Sequence, residues 1–456
     1  MKNQRLYNTQ TSGSIGCADI AVKPLLGAWA GLSLLTFLAT WAIQVIVLGM
    51  VFPDWGTAEG LLAGHDSVRF YSLAVERFEL IRGVGWSAWE LRPESQTIAG
   101  VMSAWFVITM PHPLVWAVLQ SVVYGLGGAA LFMMLQTLVN DWRWALIAVV
   151  IVLFLPSAAM IYSLPHHDAF VFAGFMLFVW GWSLLFRRSL GAAVAGVLLA
   201  AGGFGLMTLF RPFLEHIFLV ISAVLLLGYV GFVLLGAVKS RAPAQMAWVV
   251  VPVVMLLAIA YQAPDSEIKP PSGEAKTEAS VVLQPSTETG GWQRAMWLPN
   301  ALDDRLKQLA NARDRVIFQD GHGRSSIDLN VQFNSITDVI EYLPRAIQIG
   351  FFSPFLSQWL PHPDAPTNRQ VERVVAGAEM TIIYLVGLPA LVLAIWHWRR
   401  EPLVWIVLVA TGIYIVVYAL AFPVVGALVR YRFPAFALLF GIAAVYLLNR
   451  LAKARR

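Results

Sequence analysis

The sequence predicts an all-α polytopic membrane protein with about ten transmembrane helices, surface helices in a first outer loop, and a larger outer segment before the last three spans. Three observations lead there. Of 456 residues, 58% are hydrophobic and only 13% charged, whereas a soluble globular chain carries about a quarter charged residues. Mean hydropathy is +0.67. Several apolar runs reach the roughly 20 residues that a helix needs to cross a hydrocarbon core. A soluble enzyme, a disordered chain and a secreted disulfide scaffold are excluded. The single cysteine, Cys17, allows no intrachain disulfide and no zinc site on paired cysteines. The formal charge of +5 reads as topology before nucleic-acid affinity, and no nucleic-acid partner is expected.

Residues 1–24 form a polar, cytoplasmic tail with Lys2, Arg5 and Lys23. Residues 25–51 are too long for a signal-peptide core and read as an uncleaved first span. Further spans fall near 114–139, 144–162, 168–186, 190–207, 213–236, 245–261, 379–398, 402–421 and 433–448. Orientation follows from the short loops. With the N-terminus inside, the inner side receives Arg143, Arg187, Arg188, Lys239, Arg241, Arg399, Arg400 and the tail Arg450, Lys453, Arg455 and Arg456. The exceptions on the outer side are Arg211, Arg430 and Arg432, which marks them as candidates for function or for contact with anionic lipid.

The chain thus divides into the tail, a membrane module over 25–261 that includes outer loop 52–113, an outer segment over 262–378, and C-terminal spans with a basic tail over 379–456. The outer segment opens on a Pro/Ser/Glu/Lys-rich stretch, a flexible linker by composition. A charged helical stretch, ALDDRLKQLANARDRVIF, and a Gly-rich turn follow. An amphipathic run carrying Phe351, Phe352, Phe355 and Trp359 then reads as an element lying in the outer interface.

Within the first outer loop, residues 66–82 (DSVRFYSLAVERFELIR) predict a surface helix. Val68, Tyr71, Val75 and Phe78 recur at helical spacing beside a polar stripe of Arg69, Ser72, Glu76 and Glu79. Trp86, Trp89, Trp105 and Phe106 suit the same interfacial depth. Asp66 opens this helix after His65. It reads either as an N-cap or as a carboxylate at the membrane surface serving as general base. A second acid, Asp168, begins a span after the turn Pro165-His166-His167, and the same two readings apply. Pro156 predicts a kink in the span before it. A divalent metal on Asp66, Asp168 and a histidine is chemically conceivable but not favoured, because neighbouring histidines on a turn point apart. No cofactor is expected.

Arg211-Pro212 closes the loop after the fifth span, with Glu215 and His216 following, and Arg430-Tyr431-Arg432 precedes the last span. Arginines so placed either anchor to lipid headgroups or grip a phosphate bidentately. Outer arginines together with outer carboxylates are what reaction on a lipid-phosphate sugar requires: the arginines neutralise the leaving phosphate and a carboxylate takes a proton from the acceptor hydroxyl.

The order of these parts resembles the GT-C class of integral membrane glycosyltransferases, most of all the branch with protein mannosyltransferases and lipid A aminoarabinose transferases. The matching pieces are GHDSVRFYSLA with Asp66, the proline-rich entry MPHPLVWAVLQ, LPSAAMIYSLPHHDA with Asp168, and GGFGLMTLFRPFL reaching Arg211, over about the first 240 residues. Many members carry two adjacent acids in the first loop, where this chain has Asp66 between His65 and Ser67. The resemblance implies an inverting transferase with a polyprenyl-phosphate-linked sugar donor and a glycan, glycolipid or protein acceptor. It would lie in a bacterial inner membrane, with its site facing the periplasm or exterior and serving cell-envelope polysaccharide or glycolipid synthesis. Asp66 and Asp168 then take the catalytic positions. His65, Arg69, His166, His167, Arg211, Arg430, Tyr431 and Arg432 take the substrate-binding ones, among membrane lipids. Three rivals stand beside it: a polysaccharide polymerase or ligase acting on lipid-linked glycan, a transporter of lipid-linked sugar, and a non-catalytic membrane scaffold. Nearly charge-free spans and the absence of a P-loop or dinucleotide fingerprint set the terms of that choice.

Overall fold

A computed structural model of the chain describes residues 22–187, 189–240, 291–320, 325–360 and 367–455. The polar tail, the span expected at 245–261 and the linker after it lie outside these residues. What is described is helical, with no strand beyond isolated bridges. Among the described residues, eight helices are long and apolar enough to cross a membrane, and a bent pair taken as one span makes a ninth. The chain is a multi-pass, all-α membrane protein.

The first span runs as α1 (Val22–Trp41) and continues in wider turns to Val51. Two helices of the loop after the first span follow, α2 (Asp66–Val84) and α3 (Thr97–Ile108). Next come α4 (Pro113–Gln136), α5 (Trp142–Leu153) and α6 (Pro156–Tyr162). Pro156 stands at the first turn of α6, where its missing N–H costs nothing, and α5 and α6 meet at 70°. The expected kink is therefore a full break. α7 (Asp168–Leu185), α8 (Leu190–Phe210) and α9 (Leu214–Ser240) complete the first module.

After the undescribed stretch come α10 (Asn300–Asp320) and α11 (Ile336–Phe352). α12 (Thr367–Ile382) runs on into α13 (Leu388–His397), then α14 (Pro402–Ala421), a short α15 (Val425–Tyr431) and α16 (Phe433–Ala454).

α7 is buried on all sides and sits at the centre of one large core. It packs on α4 and α8, and α14 and α16 close over it. The α7–α8 approach rests on paired glycines. A Cβ on Gly174 would stand 2.7 Å from the Gly203 carbonyl, and one on Gly196 2.7 Å from the Gly181 carbonyl. In an apolar solvent, small residues that let backbones touch are a main source of helix association.

Two readings of faces need correcting. The fully packed face of α2 is Ser67, Phe70, Leu73, Ala74, Phe78 and Ile81, with Tyr71 and Val75 partly buried beside it, while Val68 turns to a small second cluster with Leu48, Leu61, Leu62 and Leu164, which Tyr71 also touches. Phe106 is buried in the core rather than placed at the interface. Both follow from α3 covering the face of α2 that a lone surface helix would give to lipid. The aromatic run at 351–359 stays partly exposed, with Phe352 the most open of its aromatics. α11 packs on α14, where a Cβ on Gly350 would meet Ile415 at 2.6 Å.

Candidate functional site

The antiparallel α7–α8 pair sets the site. Asp168 is the first residue of α7 and Arg211 the residue after α8, so close packing of the two helices brings these ends together. The Arg211 guanidinium pairs directly with the Asp168 carboxylate, and both are about 4% exposed. Burying such a pair is tolerable only when the remaining donors are satisfied. Arg211 meets that condition: NH1 donates to Tyr418 OH at 3.3 Å, NH2 contacts His167 Nε2 at 2.6 Å, and the group lies 4.0 Å over the Tyr431 ring. This is an inward arginine and no headgroup anchor.

The turn before α7 is held from below by two buried amides. Gln120 of α4 uses both its donors and its acceptor: Nε2 donates to the carbonyls of Tyr162 (2.6 Å) and Leu164 (2.8 Å), while Oε1 accepts from Trp116 Nε1 (2.8 Å) and His166 N (3.3 Å). Gln44 Nε2 donates to the Ser163 carbonyl at 2.7 Å. These contacts fix a five-residue turn whose own backbone groups would otherwise be unpaired in a dry interior.

That turn aims His166 Nδ1 at Asp168 Oδ2, 3.0 Å away. Arg430, near the end of α15, then joins the two acids. Its Nε lies 3.4 Å from Asp168 Oδ2, and NH1 donates to Asp66 Oδ2 at 3.0 Å. NH1 also contacts His166 Nε2 at 3.1 Å, and NH2 donates to Tyr431 OH at 3.3 Å. Asp66 and Asp168 therefore belong to one network, bridged by Arg430 and His166. They differ in access: the Asp66 side chain is 59% exposed and that of Asp168 4%. His65 stands beside the network, its ring 6.0 Å from that of His166.

Electrostatics follow from these contacts. His166 beside it, and then Arg430, hold the Asp66 carboxyl well below the usual carboxylate range, outweighing its partial burial. Burial first, and then the Arg211 guanidinium, push His167 far below the usual imidazole value, so it is neutral near pH 7. Burial works against the charge on Arg430, but Asp168 and Asp66 keep it cationic. Counting arginines and carboxylates alone, two positive and two negative charges cancel.

Both acids were read from sequence as possible N-caps. Each instead occupies the first helical position, with His65 and His167 as the flanking residues. The described contacts of both carboxylates are with arginine and histidine side chains. Atoms of His166, His167 and Asp168 lie within 4.8 Å of one another, a spacing seen in metal sites. Here Arg211 and Arg430 already face the same carboxylate, and a dication would have to displace them.

The network gathers Asp66, His65, His166, His167, Asp168, Arg211, Arg430 and Tyr431. Two further expected residues stand apart from it. Arg69 lies one turn along α2, exposed, pairing with Glu94 at 3.3 Å. Arg432 is 1% exposed and turns the other way: NH1 donates to the Gly350 carbonyl at 2.6 Å, and NH2 reaches the Ser353 carbonyl and Met380 Sδ. It ties the end of α11 to α16. Three polar residues escaped the sequence reading: Gln44, Gln120 and Glu379. The signal available for each was a polar group inside an apolar run. Glu379 accepts hydrogen bonds from Ser157 N at 2.6 Å and from Ser157 Oγ, and so caps the broken helix α6 from α12.

Comparison of the chain with protein-family models, curated proteins and solved structures returns no match.

Proposed function

We propose that the protein is a membrane glycosyltransferase that moves a sugar from a polyprenyl-phosphate-linked donor to a glycan, lipid or protein acceptor on the extracytoplasmic face, in cell-envelope synthesis at a bacterial inner membrane. One observation carries this reading: an exposed carboxylate, Asp66, is joined to Arg430, Arg211 and Asp168 in a single network at one end of an apolar bundle. Asp66 takes the proton of the acceptor hydroxyl, whose oxygen forms a bond to the anomeric carbon. The bond from that carbon to the phosphate oxygen breaks, and its electron pair leaves with the phosphate. Arg430 and Arg211 stabilise the charge that develops there. Buried Asp168 does not reach solvent. Its role is to keep both arginines charged and aimed.

An open apolar groove of about 680 Å³ between α11 and α13, lined by Phe352, Phe355, Leu356, Tyr384 and Leu388, supports a seat for the isoprenoid chain. Phe352 lies between Gly350 and Ser353, both bonded by Arg432, two positions from Arg430. A transporter would want its charged residues at mid-membrane. This network instead gathers at helix ends. The test is complementation of a deletion strain with wild type, Asp66→Asn or Arg430→Gln at matched protein level. We expect the missing or truncated surface glycan of the deletion to persist in both variants. Full restoration by Asp66→Asn would remove the base from the mechanism.

A further inference from the structure

Asp66 as it stands is a poor base. Held by His166 and Arg430, it resists protonation far below neutral pH, whereas a general base works best with a proton affinity near the operating pH. Arg430 NH1, which should meet the donor phosphate, is at the same time occupied by Asp66 Oδ2 at 3.0 Å. Charge bookkeeping agrees: with two guanidinium and two carboxylate groups in contact, an incoming phosphate meets no net positive charge from them until one carboxylate leaves. Asp168 cannot be that one. It is 4% exposed and is held by Arg211, His166 and Arg430 together. Asp66 can: its side chain is 59% exposed, and its arginine partner stays reachable at 14% exposure.

We infer that Asp66 and the donor phosphate compete for Arg430, so that donor binding itself releases and activates the base. The inference rests on the proposed function and adds its regulation. Without donor, the Asp66–Arg430 contact keeps the base silent toward acceptor hydroxyls and water. When a phosphate takes Arg430 NH1, Asp66 loses its nearest cation while His166 stays beside it, and its proton affinity rises part of the way toward the ordinary carboxylate range. Catalysis then requires donor before acceptor. The device sits across two elements that the chain separates widely, the start of α2 and the end of α15.

The test uses inorganic pyrophosphate as probe and the full-length protein in phosphatidylcholine nanodiscs, with binding read by calorimetry. Loss of an exposed ion pair corresponds to a change in affinity of up to about fivefold. We expect Asp66→Asn to tighten pyrophosphate binding by about that factor in the wild-type background. In an Arg430→Gln background, itself weaker binding, the same change should have no effect. An equal factor in both backgrounds means that Asp66 acts only by general repulsion, and the competition is wrong. Should Arg430→Gln fail to fold, hydrogen exchange on wild type decides: pyrophosphate should lower protection at 64–70 and raise it at 425–432. Unchanged or increased protection at 64–70 overturns the inference. If pyrophosphate binds neither wild type nor Asp66→Asn, the phosphate role of Arg211 and Arg430 falls, and the competition with it. If it binds through Arg430 but without coupling to Asp66, the competition alone falls.

Discussion

Asp66 and Asp168 share a network but differ in what their loss costs. Asp168→Asn leaves Arg211 buried beside a neutral amide, and breaking a buried pair costs about 3–5 kcal/mol. Asp66→Asn removes a half-exposed partner and should cost under about 1 kcal/mol. Thermal unfolding of the two purified variants should separate them accordingly, and equal losses would contradict the burial described. The pH dependence has a definite sign. Asp66 has a depressed folded value, so its stabilising contacts with His166 and then Arg430 are complete above the ordinary value of 3.8 and are lost only as pH falls further. The difference in melting temperature between wild type and Asp66→Asn should stay constant from pH 8 to about pH 5 and shrink below about pH 4. The arginines at outer span ends were legible from sequence because they run against the positive-inside bias that the other short loops obey. The direction of Arg432 was not, since a helix-end arginine faces lipid, site or neighbour according to packing that no local spacing encodes. Gln120 escaped notice for the opposite reason: an uncharged amide in a long apolar run barely changes its hydropathy. Gln120→Leu strands the carbonyls of Tyr162 and Leu164, each about 1–3 kcal/mol, and loosens the His166–His167 turn. It should lower both the melting temperature and pyrophosphate affinity, and stability without any loss would argue that the turn holds itself.

At the scale of elements, the glycine seam of α7 and α8 aligns Asp168 with Arg211. Gly174→Leu would drive a side chain into the Gly203 backbone, where a mere Cβ already comes within 2.7 Å. Overpacking of this kind costs about 1–3 kcal/mol. It should also weaken pyrophosphate binding by displacing the pair of ends, which a substitution at the open Gly202 should not do. The glycine-rich approach to Arg211 was visible in the sequence as a pattern, but its partner glycines in α7 were not, because one helix's sequence does not name the face it meets. The break at Pro156 was legible from proline chemistry alone. Its cap, Glu379, was not, since 222 residues separate it from Ser157 and it stood at the edge of a predicted span.

For the whole molecule, nine of the ten expected spans find helices in the described residues, counting α5 with α6 as one, and the tenth lies outside them. Long apolar runs make spans easy to read, because the hydrocarbon thickness fixes their length. The α2–α3 layer and the packing of α11 on α14 depend on long-range contact and stayed hidden. Orientation is the broadest prediction. Positive-charge bias puts the network outside, so a cysteine replacing exposed Glu94, in a chain carrying Cys17→Ser, should react with an impermeant maleimide on intact cells. One replacing Arg399 should react only after permeabilisation. The central claim, sugar transfer from a lipid phosphate through Asp66, is tested most directly by mass spectrometry of membrane lipids from the deletion strain. A polyprenyl-phosphate-linked sugar should accumulate there, and reconstituted wild-type protein given the strain's truncated glycan as acceptor should transfer the sugar to it with release of the polyprenyl phosphate, while Asp66→Asn should not. No accumulated lipid-linked sugar, or its consumption by Asp66→Asn at the wild-type rate, would contradict the account.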